Sequence, residues 1–335
     1  MVNETKEFVV RKGEKGKRLD LYLSFSFPGH SRSSLQKMIA EGDILVNGKT
    51  VSRHYKVKEE DVVTINLPPV KPHKALPEKI PLNIIYEDEA VIVLNKLAGM
   101  VVHPACGNYS GTLVNALLYH FPSLASGKFL DINRVGLVHR LDKDTSGVMV
   151  VAKNSTSLSR LAKQFEDKKV EKVYLALVFG KIMNPEGTIE APVGRKTTDR
   201  RKMAVTSISS RQAITHFRVR EILGDFTLLE VRPKTGRTHQ IRVHLAHIGH
   251  PVVGDGQYGR PAPKNWEVSQ QLLHAYRLGF VHPVRKDWVE FTAPFPKEFK
   301  KVITKLRKDI GIEQNGREKK ISRIVQKQRP SELQN

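Results

Sequence analysis

The stretch VGLVHRLDKDTSGVMVVAKN, residues 135 to 154, places a highly charged loop between two apolar runs. Both runs, VGLV and VMVVA, have the composition of buried strands. The end of the loop, DTSG, has ordinary turn chemistry, which accounts for Asp144. It does not account for Asp142, which lies where the chain leaves the core. Rigid scaffolds often present reactive side chains at such positions, so Asp142 is a candidate functional residue.

Strand patterns recur among short helical patterns from residue 82 onward. The segments EKVYLALVFGK and FTLLEVRP indicate strands, whereas STSLSRLAKQFEDKK has the apolar spacing of a helix. The strict strand and helix alternation of a doubly wound fold is missing. The sequence therefore predicts an α+β fold around a mixed sheet, with short helices.

Residues 31 to 67 have the pattern of a small α+β unit of their own. Gly42 ends a predicted helix, and Asn47 with Gly48 forms the tight turn of a hairpin. The same helix carries Arg32 and Lys37, which predicts a basic face. Its apolar face is formed by Leu35, Met38 and Ile39.

The charge of the chain indicates a polyanionic partner. The formal net charge is +22 and the pI is about 10.0. Nucleic acid is the first interpretation, and an anionic membrane surface is the second. Cys106 is the only cysteine, which excludes a disulfide framework and a thiolate zinc site. No apolar segment reaches the length of a membrane span, so we expect a cytoplasmic protein without membrane contact.

A third dense stretch, KTGRTHQIRVHLAHIGHPVVGDGQYG, covers residues 234 to 259. Thr238 is the predicted cap of a helix that Gly249 ends. Arg242 lies near the start of this helix, at the edge of its buried stripe, where it can reach a carboxylate on a neighbouring element. The stripe itself is formed by Ile241, Leu245 and Ile248.

The histidines of this stretch raise the question of a metal site. His244 and His247 share a helical face, but the HExxH pattern is absent and the helix contains no acidic residue. We therefore predict no metal. The chain also lacks GxxxxGK[ST], and none of its strands is followed by GxGxxG, which argues against nucleotide hydrolysis and hydride transfer. No cofactor is predicted.

The motifs HRLDKDTSG, EKVYLAL and GRTHQIRVHLAHIGHP, in this order, resemble those of the RluA-type pseudouridine synthases over residues 82 to 296. The segment VVHPACGNYSGTLVNALL is most similar to the RluD-like members, which modify large-subunit ribosomal RNA. Upstream, RLDLYLS together with SRSSLQKMIAEGDILVNGKTV resembles the RNA-binding domain of ribosomal protein S4. The resemblance implies a pseudouridine synthase fold, an α+β fold with a mixed, largely antiparallel sheet and short helices, behind a small α+β RNA-binding domain.

The predicted organisation follows from this resemblance. It comprises an S4-like RNA-binding domain at residues 8–68 and a proline- and lysine-rich linker at residues 69–81. The catalytic domain follows at residues 82–310, and a basic tail at residues 311–335. The expected partner is ribosomal RNA of the large subunit or its assembly intermediate, and we expect a monomer.

The resemblance also implies roles for individual residues. Asp142 is the expected catalytic carboxylate, Tyr174 the aromatic residue against the target base, and Arg242 the partner of Asp142. The expected substrate-binding residues are Arg140, which matches the position implicated in flipping the nucleotide, with His139, Arg237, His239, Arg32 and Lys37.

Three alternatives stay open. One is a ribosome assembly factor that binds RNA on the same fold without catalysis, and another is a synthase that acts on transfer RNA. A hydrolase with a histidine-bound metal is the third. Within the leading hypothesis, Asp142 either attacks the sugar carbon or removes the 2′ proton of the ribose to give a glycal. The residues do not distinguish these two routes.

Overall fold

A computed structural model describes residues 4–27, 32–67, 75–104, 108–125, 135–199 and 202–311. The chain divides into two compact units, residues 1–73 and residues 74–335. Cys106 and all of the predicted tail except Gly311 lie outside the described residues. Only residues 75–81 of the predicted linker are described, and Ala75 packs into a core cluster of the larger unit. The domain limits derived from the sequence remain predictions.

The smaller unit combines two helices with one antiparallel sheet. Its helices are α1 (Leu19–Ser26) and α2 (Arg32–Glu41). Its strands are β1 (Glu4–Val9), β2 (Ile44–Val46), β3 (Lys49–Thr50) and β4 (Val62–Leu67). They pair in the order β1-β4-β2-β3.

Local sequence explains most of this unit. The predicted apolar face of α2 is buried in its core, with Leu35, Met38 and Ile39 all in one cluster. Asn47 and Gly48 have φ values of 51° and 73°, as the predicted hairpin turn requires. Gly42 follows α2 with a φ of 82°, a left-handed conformation that glycine adopts without steric cost. The structure confirms these predictions.

The larger unit contains a nine-stranded sheet, a three-stranded sheet and four helices among its described residues. The helices are α3 (Leu113–His120), α4 (Ser155–Glu166), α5 (Gln240–His247) and α6 (Lys297–Asp309). The strands are β5 (Ile84–Glu87), β6 (Val91–Lys96), β7 (Ser146–Ala152), β8 (Glu171–Phe179), β9 (Glu186–Glu190), β10 (Val193–Arg195), β11 (Met203–Val205), β12 (Ser210–Arg211), β13 (Ile214–Leu223), β14 (Phe226–Pro233), β15 (Leu273–Val281) and β16 (Trp288–Thr292).

The large sheet has the order β5-β6-β7-β15-β8-β14-β13-β9, with β16 paired to β15. Within the described strands, β7 and β15 are its parallel pair, and the other pairs are antiparallel. The small sheet pairs β10 with β11 and β12. This architecture confirms the predicted α+β fold with a mixed, largely antiparallel sheet.

Helices cover both faces of the large sheet, and side chains alternate between the faces. On β6, Ile92 and Leu94 join a cluster with α3, whereas Val91 and Val93 pack with residues of α4. On β8, Ala176 and Leu177 behave likewise, packing with α5 and α6 respectively. Because both faces are covered, the strands read as continuous apolar runs.

Gly147 begins the pairing of β7 with β15 at a φ of 123°, and a Cβ atom there would overlap the backbone of Ala275. The glycine of the DTSG turn is therefore required by the close approach of two strands.

Among the described residues, no helix combines the length and the apolar character needed to span a bilayer.

Candidate active site

Asp142 and Arg242, one hundred residues apart in the chain, form an ion pair in the structure. Asp142 lies in the loop before β7, and Arg242 lies in the first turn of α5. The Arg242 Nη1 atom donates to Asp142 Oδ2 over 3.1 Å. The side chain of Asp142 keeps 21% of its surface exposed, against 8% for Arg242. Arg242 thus binds one oxygen of the Asp142 carboxylate, and part of the side chain remains accessible to solvent.

A second carboxylate, which the sequence analysis missed, holds the other side of Arg242. The Arg242 Nε atom donates to Asp255 Oδ2 over 2.7 Å, and Nη2 donates to Asp255 Oδ1 over 2.8 Å. Burial opposes the charge on the guanidinium, but its bonds with Asp255 and the charges of Asp255 and Asp142 raise the pKa of Arg242. The guanidinium is therefore a fixed positive charge between two acids.

Tyr174 lies on β8, with its ring partly buried against the clusters on the α3 and α5 side of the sheet. Burial raises the pKa of the Tyr174 hydroxyl, and the negative charge of Asp142 raises it further. The phenol therefore keeps its proton at neutral pH. Its ring packs against the cluster that contains Leu141, the neighbour of Asp142 in the chain.

His239 is the N-cap residue of α5, in a left-handed conformation with a φ of 55°. The prediction that Thr238 caps this helix is wrong, because contacts of His239 in the site determine where the helix begins. The Nδ1 atom of His239 lies 2.6 Å from the hydroxyl of Tyr258, and its Nε2 atom lies 3.9 Å from Asp142 Oδ1. The structure thus brings His239 to the candidate carboxylate, with Tyr258 as a partner that the sequence analysis did not identify.

His139 occupies a different environment. Its Nε2 atom accepts the backbone N–H of Val150 over 3.1 Å, and its ring stacks on Phe165 at 4.7 Å between centroids. Burial and the charge of Lys172 lower the pKa of His139 to about 3, so the ring is neutral. These contacts join the loop of Asp142 to β7 and α4. They give His139 a structural role, and its predicted contact with substrate remains untested.

Arg140 and Arg237 each lie two residues from a residue of this site, Arg140 before Asp142 and Arg237 before His239. Arg140 is exposed, forms no ion pair within the described part of the chain, and lies close enough to His239 to lower its pKa electrostatically. Arg237 precedes α5, and its Nε atom donates to the backbone oxygen of Gln212 over 3.3 Å. Both cations remain available for contact with an anionic ligand.

Arg32 and Lys37, the other predicted RNA contacts, belong to the smaller unit. Arg32 donates through Nε and Nη2 to Oδ2 of the buried Asp20, over 3.0 and 2.9 Å. Arg18 and Gln36 bind the same carboxylate. Lys37 lies 3.5 Å from Glu41, one helical turn away, and is largely exposed. Asp20 therefore fixes the orientation of the Arg32 side chain. Lys37 instead forms a solvent-exposed ion pair with Glu41.

Lys96 is a further residue that the sequence analysis missed. It is 1% exposed at the end of β6, and its ammonium group donates to the backbone oxygens of Leu97, Met100 and Lys143 over 2.8 to 2.9 Å. Burial lowers the pKa of Lys96 to about 7, against the opposing charges of Asp144 and Asp142. Lys96 thus holds the backbone of Lys143, which directly follows Asp142 in the chain.

His244 of α5 and His250, which follows this helix, have hydrogen-bond partners within the protein. His244 contacts the hydroxyl of Thr215 and the backbone oxygen of Ala191, both at 2.9 Å. His250 contacts the backbone oxygen of Phe179 at 2.9 Å. In the ranges that the structure describes, no three His, Cys, Asp or Glu side chains are grouped as metal ligands.

Comparisons with known proteins identify the family of this chain. The RNA pseudouridylate synthase family matches residues 90–247, and the S4 domain family matches residues 17–63. An uncharacterized RNA pseudouridine synthase, YlyB of Bacillus subtilis, is 44% identical over 88% of this chain and 96% of its own length. The ribosomal large subunit pseudouridine synthase D of Xylella fastidiosa is 43% identical over 92% of this chain and 94% of its own.

Solved structures give the same result. Human RNA pseudouridylate synthase domain containing 1 superposes with a TM-score of 0.53 and 29% identity, covering 69% of this chain and 96% of its own. Human RNA pseudouridylate synthase domain containing 4 has the same TM-score at 26% identity, covering 67% and 93%. With these similarities, the chain belongs to the RNA pseudouridine synthase family, as an isomerase that acts on RNA and carries an S4 domain.

Proposed function

We propose that this enzyme converts specific uridines of large-subunit ribosomal RNA into pseudouridine, with Asp142 as the catalytic carboxylate. The observation that carries the proposal is the position of Asp142, which Arg242 holds at 3.1 Å while part of the carboxylate stays exposed beside Tyr174. Relatives that are named ribosomal large subunit pseudouridine synthase D support this choice of RNA.

One ionised carboxylate is sufficient for the chemistry. The bond from N1 of uracil to the ribose C1′ breaks, the base rotates, and C5 bonds to C1′. Asp142 either forms a transient ester at C1′ or removes the 2′ proton to give a glycal. C5 then loses its proton and N1 gains one, so no net oxidation occurs and no redox cofactor is required. Arg242 orients the Asp142 carboxylate in both routes through its 3.1 Å hydrogen bond.

The target nucleotide must leave its stack before Asp142 can reach C1′. Extruding a base costs on the order of a few kcal/mol, which phosphate contacts and aromatic stacking offset. Tyr174 supplies the ring for the extruded uracil in this proposal. Arg140, exposed and without an ion pair among the described residues, is placed to bind the displaced backbone. His239 lies beside the same carboxylate, and Arg237, two residues before it in the chain, completes the proposed contacts.

Mapping pseudouridines by carbodiimide-dependent reverse-transcription stops, in cells with and without the gene, tests the substrate. We expect stops in large-subunit ribosomal RNA to disappear without the gene and to return with the wild-type gene but not with Asp142→Asn. Loss confined to transfer RNA would contradict the ribosomal substrate. An unchanged profile together with defective subunit assembly would favour the RNA-binding factor.

Removing the hydroxyl of Tyr174 separates its two proposed roles. Tyr174→Phe keeps the stacking ring, so RNA affinity should change by less than about twofold. If the hydroxyl passes the C5 proton to water, turnover should fall by roughly 100-fold. Tritium release from RNA labelled at C5 of uridine measures this step. Normal release by the Phe variant would limit Tyr174 to stacking, and Tyr174→Leu, which also removes the ring, is the control for affinity.

Deleting residues 1–73 should weaken binding and spare chemistry. These residues form a separate compact unit that contains the S4 match but none of the proposed catalytic residues. As a tethered second binding site, the unit raises the effective concentration of RNA. Its loss should reduce the slope of log affinity against log salt by roughly 0.7 to 0.9 per phosphate contact, with turnover at saturating RNA retained.

The double variant Arg32→Gln/Lys37→Gln is the matched control for this deletion. Its fold should be preserved, because Arg18 still binds Asp20. It should reproduce part of the loss in affinity. Filter binding over a salt series measures both proteins. Unchanged affinity of a folded deletion protein for structured RNA would contradict the proposed role of the unit, and so would normal binding without turnover.

A further inference from the structure

Two hydrogen bonds connect the small sheet to His239, whose ring faces the candidate carboxylate. The backbone N–H of Met203, on β11, donates to the hydroxyl oxygen of Tyr258 over 2.9 Å. The same hydroxyl lies 2.6 Å from Nδ1 of His239. On its far side, the His239 ring presents Nε2 to Asp142 Oδ1 at 3.9 Å. This chain of hydrogen bonds thus ends at His239, on the side of the carboxylate oxygen that Arg242 does not hold.

The donors and acceptors of this chain favour one tautomer of His239. The amide of Met203 can only donate, so the Tyr258 hydroxyl accepts there and has its single proton left for His239. Burial raises the pKa of Tyr258, which keeps this proton in place. Nδ1 of His239 is then the acceptor, and a neutral ring must carry its proton on Nε2. This N–H therefore faces Asp142.

The charges around His239 keep the ring neutral. Burial lowers the pKa of His239, and the positive charges of Arg242 and Arg140 act in the same direction. Asp142 and Asp255 oppose them, without reversing the shift. A neutral ring in the opposite tautomer would turn the lone pair of Nε2 toward the carboxylate, which is repulsive. The tautomer consequently decides whether His239 attracts or repels Asp142.

The surrounding structure fixes this arrangement. His239 has a φ of 55°, a left-handed conformation that is uncommon for residues other than glycine and that persists only where contacts determine it. Tyr258 is held in turn, since its ring lies 4.9 Å from the Arg242 guanidinium carbon and its N–H donates to Asp255 over 3.1 Å. One cluster thus orients both groups that face Asp142.

We propose that Tyr258 is a positioning residue, which fixes the Nε2–H tautomer of His239 so that both oxygens of Asp142 face a donor. Arg242 holds Oδ2, and the His239 N–H faces Oδ1 at 3.9 Å. The inference rests on the proposed role of Asp142. It also links that residue to β11, because Met203 supplies the first donor of the chain.

Nitrogen NMR of the full-length protein with ¹⁵N-labelled histidine imidazoles tests the tautomer without RNA. We expect His239 to show an unprotonated Nδ1 and a protonated Nε2 in the wild type. Tyr258→Phe keeps the ring over Arg242 and removes the hydroxyl, so the opposite tautomer should become populated. A wild-type ring protonated at Nδ1, or an unchanged spectrum in the Phe variant, would overturn the proposal. This readout does not depend on which RNA is the substrate.

Kinetics on any RNA that the wild type modifies provide the second test. Tyr258→Phe should lower kcat by about tenfold and leave KM within about twofold, because the change acts on a reacting group through its orientation. Tyr276→Phe removes a hydroxyl from another partly buried tyrosine, whose ring stacks on Phe295, and should retain wild-type kinetics. Equal losses in the two variants would contradict a specific role.

A double-mutant cycle shows whether Tyr258 acts through His239. In the His239→Gln background, Tyr258→Phe should have little further effect on kcat, since the residue that it positions is gone. A full tenfold loss in both backgrounds would overturn the proposal and leave Tyr258 as a packing residue. Circular dichroism of each variant verifies that the fold is retained.

Discussion

Replacing Asp142 by Asn is expected to abolish pseudouridine formation, with a fall in turnover of at least about 10⁴-fold. The amide has nearly the same shape, and its oxygen can still accept from Arg242, but it neither attacks C1′ nor removes the 2′ proton. RNA affinity should stay within about threefold, because phosphate contacts supply most of it. Tritium release and filter binding measure the two quantities.

Asp144→Asn is the control for this prediction. Asp144 lies two residues further along the same loop, in the turn before β7, and removing its charge changes the net charge of the protein by the same amount. We expect this variant to keep most of its activity. Turnover by the Asp142 variant within tenfold of wild type would remove Asp142 from the mechanism.

The parts of the fold that sequence predicted well depend on local physics. The turn at Asn47 and Gly48 requires positive φ, and few residues adopt it as easily as this pair. The buried face of α2 follows from helical periodicity, and β8 and β14 follow from continuous apolar runs. Each of these signals is contained within about ten neighbouring residues, so no tertiary information is needed.

The parts that sequence missed depend on contacts between distant segments. Lys96 reads as a surface lysine after a strand, but its three carbonyl partners come from two loops that only the fold brings together. Asp255 follows an ordinary turn, and its pairing with Arg242 requires the chain to return after α5. Thr238 was a reasonable cap by propensity, yet His239 holds the N-cap position because Tyr258 and the site fix it.

The pair of Asp142 and Arg242 lies between these two cases. Their identity as partners came from motifs that match a family, and the structure shows the ion pair. Position in the sequence alone indicated only that Asp142 is a candidate reactive residue and that Arg242 can reach a carboxylate on a neighbouring element. Asp255 explains why an arginine is needed, because one guanidinium serves two carboxylates with three hydrogen bonds.

Replacing Arg242 by Met should therefore affect stability as well as catalysis. Asp255 has 1% of its surface exposed, and the change leaves its charge without its main partner. Breaking a buried ion pair in this way costs about 3 to 5 kcal/mol. Both tryptophans of the chain, Trp266 and Trp288, belong to the larger unit, so their fluorescence during chemical denaturation reports its unfolding.

Two companion variants separate the effects. Arg242→Met/Asp255→Leu removes both charges, so stability should recover to within about 2 kcal/mol of wild type while activity stays absent. Arg242→Lys keeps one charge, but a point charge cannot bind both acids as the planar fork does, and turnover should still fall by roughly 100-fold or more. A stable, active Arg242→Met enzyme would show that neither acid depends on Arg242. Recovery of activity in the double variant would place the role of the arginine in folding alone.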